Sequence, residues 1–307
     1  MRLYFTGHDY KYAAEQMLLS LYPAERPEYP DGKPEGDRVE LRLSSGRVYT
    51  TATCRLVRGG EVHTAKSAVK TALMTDDIMR DKLCSRIIKT AFYRAAISAG
   101  HARPAWGMLT GVRPGKLLRE EIDAGGVDAA VSKFIRDYDV TPERARLCRD
   151  TALVTQQVAE SLDGRDICLY VGIPFCPTRC SYCSFVSQSV EKSMKLIPPF
   201  TDALMLETEA AAKAVHELGL RVISIYMGGG TPTTLNAGQL DRLCLKLEEQ
   251  FDLSHVREYT VEAGRPDTIT AEKLAVAAEH GITRVSINPQ TMEDSVLAAI
   301  GRRNTAD

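Results

Sequence analysis

Residues 167–183 read Ile167-Cys-Leu-Tyr-Val-Gly-Ile-Pro-Phe-Cys-Pro-Thr-Arg-Cys-Ser-Tyr-Cys183, an apolar run of strand character that breaks at Pro174 into a loop with three cysteines. Cys176, Cys180 and Cys183 follow a C-x3-C-x2-C spacing. Iron–sulfur clusters are normally held by four cysteines. Three thiolates leave one metal open, which is the usual difference between catalytic and structural metal sites. The triplet therefore predicts chemistry at an open iron. A disulfide framework belongs to short secreted chains, whereas this chain has 307 residues and a start (Met-Arg-Leu-Tyr-Phe-Thr-Gly-His-Asp) that turns polar too soon for a secretory signal. Structural zinc would need a second nearby Cys or His pair, and His216 and His255 lack motif spacing. The other cysteines, Cys54, Cys84, Cys148, Cys168 and Cys244, are scattered singly and read as buried apolar residues.

Outward from this loop, strand-like and helix-like segments alternate. Ile167–Ile173, Arg221–Met227, Arg257–Glu262 and Arg284–Asn288 read as strands, with helices over Ser193–Leu218, Gln239–Phe251 and Ala271–His280. Such long crossovers demand parallel strands. Alternate residues sort the strands into two faces. Cys168/Tyr170/Gly172, Ser224/Tyr226/Gly228, Thr260/Glu262 and Ser286/Asn288/Gln290 are small or polar; Leu169/Val171/Ile173, Ile223/Ile225/Met227, Tyr259/Val261 and Val285/Ile287 are apolar. An ordinary parallel sheet is apolar on both faces. A polar face converging at the strands' C-terminal ends is a barrel lumen with its active site at that rim.

Tyr226-Met-Gly-Gly-Gly-Thr-Pro232 closes the second strand. Glycines without Cβ let backbone groups approach a ligand closely, although a plain structural turn explains the same residues. The run lacks both a dinucleotide fingerprint and a phosphate loop. Its weight comes from position, because loops after the first two barrel strands share one rim.

Residues 1–162 read as a separate α+β module and residues 163–307 as the barrel part. In the first, a strand over Arg2–Gly7 and a helix over Tyr10–Leu21 precede a proline-rich loop, Pro23–Arg38. Val39–Ser44 and Arg47–Val57 form an expected hairpin about Ser45-Gly46, and Glu61–Ala65 a third strand. Asp76 to about Leu162 is helical, with breaks at Gly100, Gly107, Gly111, Gly125-Gly126 and Pro142. Within it Gly107-Met-Leu-Thr-Gly-Val-Arg-Pro-Gly115 stands out, though it also reads as a simple helix connection. No catalytic constellation appears in residues 1–160.

Composition is that of a soluble globular protein: 44% hydrophobic, 26% charged, net charge −1. Nothing pushes toward nucleic acid, and no apolar stretch approaches a membrane span. Residues 1–160 carry 25 basic and 21 acidic side chains and residues 161–307 carry 14 and 19, too mild an asymmetry to name a partner. Unpaired thiols point to the cytoplasm.

Taken together, Tyr170-Val-Gly-Ile-Pro-Phe-Cys-Pro-Thr-Arg-Cys-Ser-Tyr-Cys-Ser-Phe185, Met227-Gly-Gly-Gly-Thr-Pro232, Val261-Glu-Ala-Gly-Arg-Pro-Asp267 and Ser286-Ile-Asn-Pro-Gln290 resemble the radical S-adenosylmethionine (SAM) superfamily. Within it they look like the oxygen-independent coproporphyrinogen III dehydrogenases and their relatives, and the first module looks like an N-terminally extended branch. The resemblance implies an α/β fold, a partial radical SAM barrel of four of six strand–helix units, behind a small α+β domain. It implies Cys176, Cys180 and Cys183 as ligands of a 4Fe–4S cluster whose fourth iron chelates SAM. Tyr170 and the backbone near Tyr182 would lie against the cofactor, and Gly229, Gly230 and Thr231 would bind its methionine amino end. Glu262 and Gln290 would reach ribose and carboxylate groups, with Arg302 a further SAM-binding residue.

The chemistry so implied is reductive cleavage of SAM, hydrogen abstraction from a propionate of coproporphyrinogen III, and loss of carbon dioxide to leave a vinyl group on the route to haem. The one-electron donor would be flavodoxin-like or ferredoxin-like. Two departures stand against the pattern. Phe185 occupies the place of a fourth cysteine common in those dehydrogenases; related haem chaperones and some other branches of the family also have an aromatic residue there. The chain also ends at Asp307, before the last two barrel units, which suggests a truncated product. Besides the dehydrogenase, a haem chaperone and an inactive fragment remain open readings.

Overall fold

A computed structural model describes all residues, 1–307, and divides them into two compact units, Met1–Ser161 and Leu162–Asp307. In the first, β1 (Arg2–Thr6), α1 (Lys11–Leu21), β2 (Arg38–Ser45), β3 (Tyr49–Arg58) and β4 (Glu61–Lys70) precede four helices: α2 (Asp77–Ser98), α3 (Pro114–Gly125), α4 (Val127–Tyr138) and α5 (Pro142–Glu160). The sheet order is β1-β2-β3-β4, with β1 parallel to β2 and the rest antiparallel. The hairpin forms, but β3 begins at Tyr49, two residues later than expected, because Gly46 N–H bonds Tyr49 O and closes the turn. β4 runs five residues past the expected Ala65. Its alternation continues through Lys66, Ser67, Ala68 and Val69, polar enough to hide the strand, while β3 pairs with it throughout. Lys66 and Lys70 suit an edge strand. Asp76 caps α2 through Met79 N, and Pro142 starts α5 at its first turn. The core joins Leu3, Leu41, Leu56, Ile87, Ile88 and Phe92 to Leu118 and Phe134.

The second unit holds β5 (Asp166–Ile173), two-residue strands β6 (Phe175–Cys176) and β7 (Gln188–Ser189), and a helical turn α6 (Val190–Ser193). There follow α7 (Ile197–Glu217), β8 (Arg221–Gly229), α8 (Ala237–Gln250), β9 (Glu258–Ala263), α9 (Ala271–Glu279), β10 (Arg284–Ile287) and α10 (Asp294–Ala299). β5, β8, β9 and β10 pair in sequence order, every pair parallel. Register joins Tyr170 to Tyr226, Gly172 to Gly228 and Glu262 to Ser286, so the polar residues do share one face. On the other face Ile173, Ile225, Met227, Tyr259 and Val261 are buried against the helices. Cys168 departs from expectation. It lies on the lumen face and is exposed, whereas Cys54, Cys84, Cys148 and Cys244 are buried. The helix expected over 193–218 is interrupted by a 3-10 turn at Met194–Leu196, after which Pro198 and Pro199 sit in the first turn of α7. At the strands' N-terminal ends Arg221 bonds Asp166 and Asp163, bracing β8 to β5.

Candidate functional site

The cysteine loop leaves β5 at its C-terminal end. The β6–β7 ladder pinches its neck, with Gln188 N–H on Pro174 O at 2.8 Å. Cys176 and Cys180 are buried and Cys183 half-buried. Cys183 N–H bonds Cys180 O at 3.1 Å, which folds the second half of the triplet into a turn. All eight cysteines are free thiols. No three His, Cys, Asp or Glu side chains converge on a single metal ion; the cysteines of a 4Fe–4S cluster each bind a separate iron and need no such convergence.

Two sulfurs have protein donors. Thr231 Oγ1 donates to Cys176 Sγ at 3.4 Å, and Arg265 Nη2 donates to Cys180 Sγ at 3.2 Å and to Thr178 O at 2.6 Å. The segment after α10 ties the loop from the other side. Ser181 N–H bonds Ile300 O, and Thr178 Oγ1 donates to Gly301 O at 2.6 Å. Next to it Arg302 is buried, its Nη1 donating to Gly264 O at 3.0 Å and Asn288 O at 2.6 Å, across the ends of β9 and β10. Tyr182 is held above the usual phenol value by partial burial first and by Cys180 second, with Arg302 opposing. Arg265 Nη1 and Arg302 Nε are buried with no partner, and neither guanidinium pairs with a carboxylate. Buried cations without a counter-charge cost on the order of several kcal/mol, so this pocket is electrostatically prepared for an anionic guest.

The glycine turn is tighter than a ligand cradle requires. Gly230 N–H bonds Ile173 O at 2.8 Å and Thr231 N–H bonds Phe175 O at 2.7 Å. A Cβ on Gly230 would lie 2.7 Å from Phe175 O and 2.9 Å from Ile173 O, and Gly229 has φ +103°. These glycines let β8 close against the stem of the cysteine loop. Gly228 instead opens on the lumen, where an added Cβ would meet the Tyr226 ring, Glu262 and Tyr170. There Tyr170 and Tyr226 stack with ring centres 6.0 Å apart, and Tyr226 Oη donates to Glu262 Oε1 at 2.6 Å. Gln290 is exposed beyond β10 at φ +71°, a left-handed backbone, and makes no hydrogen bond.

Cys176 is thus joined to Thr231, Cys180 to Arg265, Tyr182 and, through the backbone, Cys183, Tyr182 in turn to Arg302, and Tyr170 to Glu262 through Tyr226; Gln290 is bonded to none of them. Tyr226 and Arg265 were assigned no role in the sequence. Alternation marks Tyr226 on the polar face, whereas a lone arginine after a glycine carries no spacing signal. A cavity of about 330 Å³ lies elsewhere, in the first unit between α2 and Met108–Val112. It is remote in sequence from the cysteine loop and holds none of these residues.

The model of the family described as "Radical SAM superfamily" matches residues 170–307. Residues 170–307 belong to the radical SAM superfamily. Among curated relatives, the oxygen-independent coproporphyrinogen-III oxidase-like protein HemZ of Bacillus subtilis is 39% identical over 208 residues, 66% of this chain and 41% of that protein. The haem chaperone HemW of Lactococcus lactis is 36% identical over 136 residues, 44% of this chain and 34% of its own length. Among solved structures, the radical SAM enzyme coproporphyrinogen III oxidase (HemN) of Escherichia coli is similar over 50% of this chain and 34% of its own, at 29% identity and a TM-score of 0.42. The chain spans about two fifths of HemZ and about a third of the others. No helix is long and apolar enough to cross a membrane.

Proposed function

We propose that this chain carries the cluster- and SAM-binding part of a HemZ-like radical SAM enzyme, acting in the oxygen-independent oxidative decarboxylation of coproporphyrinogen III propionates to vinyl groups. The observation that supports the cofactor is the pairing of two buried, carboxylate-free guanidiniums with a three-thiol loop. Cys176, Cys180 and Cys183 would hold a 4Fe–4S cluster, whose thiolates supply the negative charge those arginines lack. Bound there, cluster and SAM supply one-electron cleavage of a carbon–sulfur bond and hydrogen abstraction.

The chain's own residues have separable tasks in this reading. The amide nitrogens of Gly230 and Thr231 are already engaged, so the turn would meet the methionine ammonium through carbonyl oxygens. Glu262, steadied by Tyr226, is placed to accept from ribose hydroxyls. Tyr170 offers an aromatic wall on the lumen side, Tyr182 lies beside Cys180 for the adenine end, and Arg302 and Gln290 would reach the SAM carboxylate. The electron would come from a flavodoxin-like or ferredoxin-like donor, in the cytoplasm. The dehydrogenase-like reading over the chaperone is supported by extent. The HemZ likeness covers 208 residues, more than the 146 (307 − 161) of the second unit, so it reaches into the first; the 136-residue chaperone likeness is no longer than the second unit.

The second reading, a haem chaperone, is supported by the likeness to HemW; Phe185, exposed where a fourth cysteine would be, favours neither reading outright. Anaerobic reconstitution with iron and sulfide is expected to give the broad visible absorbance of an iron–sulfur protein, lost in Cys180→Ala. Dithionite and SAM then yield 5′-deoxyadenosine, and coproporphyrinogen III releases carbon dioxide. A loaded cluster without SAM cleavage, but with haem bound and passed to an apo-acceptor, selects the chaperone. Tetrahedral zinc or bare thiols at the triplet refute both.

A further inference from the structure

Arg265 is a long cation with almost no water. It is 3% exposed, and its backbone carbonyl is pinned. Pro266 follows it, and Arg265 O accepts both Thr268 N–H at 3.0 Å and Thr268 Oγ1 at 2.8 Å. Thr268 Oγ1 in turn meets Thr233 Oγ1 at 2.6 Å, linking the turn after β9 to the turn after β8. The side chain that leaves this anchored backbone reaches Cys180 Sγ and Thr178 O with one nitrogen, while Nη1 remains buried and unpaired. No carboxylate shares it, and its guanidinium cannot deprotonate to relieve the burial.

We infer that Arg265 is a positioning and tuning residue for the cluster: it stays bonded to the Cys180 sulfur in the loaded protein and raises the potential at which the cluster accepts its electron. The inference rests on the cluster reading above. One electron from a low-potential one-electron reductant converts the 4Fe–4S core from its 2+ to its 1+ state, with no proton or bond exchanged. The site gains one negative charge, spread partly onto the ligand sulfurs. A fixed cation hydrogen-bonded to one of those sulfurs stabilises the reduced form more than the oxidised one, and hydrogen bonds to sulfur are a recognised determinant of cluster potential. Arg265 is far stronger in this respect than the neutral Thr231 hydroxyl on Cys176, since charge-assisted bonds are roughly twice as strong. Arg302 does not compete for the role, because it donates to two carbonyl oxygens rather than to sulfur.

The test compares wild type, Arg265→Gln and Arg265→Lys after anaerobic reconstitution. Iron content and visible absorbance come first, and a wild type that takes up no cluster fails the cluster reading, not this one. An electron paramagnetic resonance redox titration with dithionite then gives the midpoint of each loaded protein. Arg265→Gln is expected to keep its cluster with a midpoint shifted to more negative potential and a smaller reduced signal at fixed dithionite. Arg265→Lys, which keeps charge but not the fork, falls between. A fully loaded Arg265→Gln with the wild-type midpoint overturns the proposal. So does loss of the cluster from both variants with unchanged circular dichroism, which would make Arg265 a brace of the loop and not a tuner.

Discussion

Gly230 has no room for one more carbon. The added methyl of Gly230→Ala would press on Phe175 O, Ile173 O and Phe175 N, all backbone atoms of the cysteine-loop stem. Overpacking of this kind costs about 1–3 kcal/mol. The variant is expected to unfold at lower urea with an unchanged m-value, and a wild-type midpoint would show that the end of β8 can simply retreat. Nearby, Tyr226 is pushed up to about 12, first by its hydrogen bond to Glu262 and then by burial. Glu262→Gln should bring its titration back toward the ordinary phenol value of about 10, seen as tyrosinate absorbance appearing at lower pH. A raised phenol favours the neutral form, so the stabilisation from this bond is complete below about pH 10 and disappears as pH climbs through about 12. Titration unchanged by the substitution would remove Glu262 as the cause. Tyr226 was legible because side-chain alternation in a strand puts it on the lumen face. Arg265 was not, because its sulfur partner lies 85 residues away and no local pattern encodes that contact.

At the scale of elements, α8 announces itself through Asn236 and Gln239, whose reciprocal bonds form a capping box. α9 likewise starts at Thr270, which caps Lys273 N. α10 gave no such signal. It is six residues long with no side-chain cap, and only tertiary packing makes so short a helix worthwhile. α8 and α9 are also joined by charge. His280, just past α9, meets Asp241 Oδ1 at 2.9 Å and Glu248 Oε1 at 2.8 Å. Burial acts against a charged ring there, but the two carboxylates outweigh it and hold the imidazole above 6.5. A raised folded value means that the contribution is fully present below 6.5 and is lost as pH rises through the raised value. The Tm of the wild type is therefore expected to fall over that window more than that of His280→Gln. Parallel curves for the two proteins would show that the clamp adds no pH-linked stability.

For the molecule as a whole, strand order was legible because each crossover is too long for a hairpin, and the helices follow the strands without exception. How many strands close the sheet was not, since β5 and β10 each have a single strand neighbour in that sheet. At the end of β10 Ile287 is 54% exposed, and beyond it Met292 is 64% exposed. Free apolar edges template association, so the 307-residue chain should show concentration-dependent light scattering, and Ile287→Lys should reduce it. Equal scattering by the two would place the sticky surface elsewhere. The tether between Thr178 and Gly301 spans 123 residues, and it has a temporal consequence. A nascent chain exposes its three thiols to the ribosome's surroundings long before Arg265 and Ile300–Arg302 have been synthesised. The loop can take its final shape only once residues as far as Arg302 have emerged, so a nest ready for metal exists only well after the thiols themselves do.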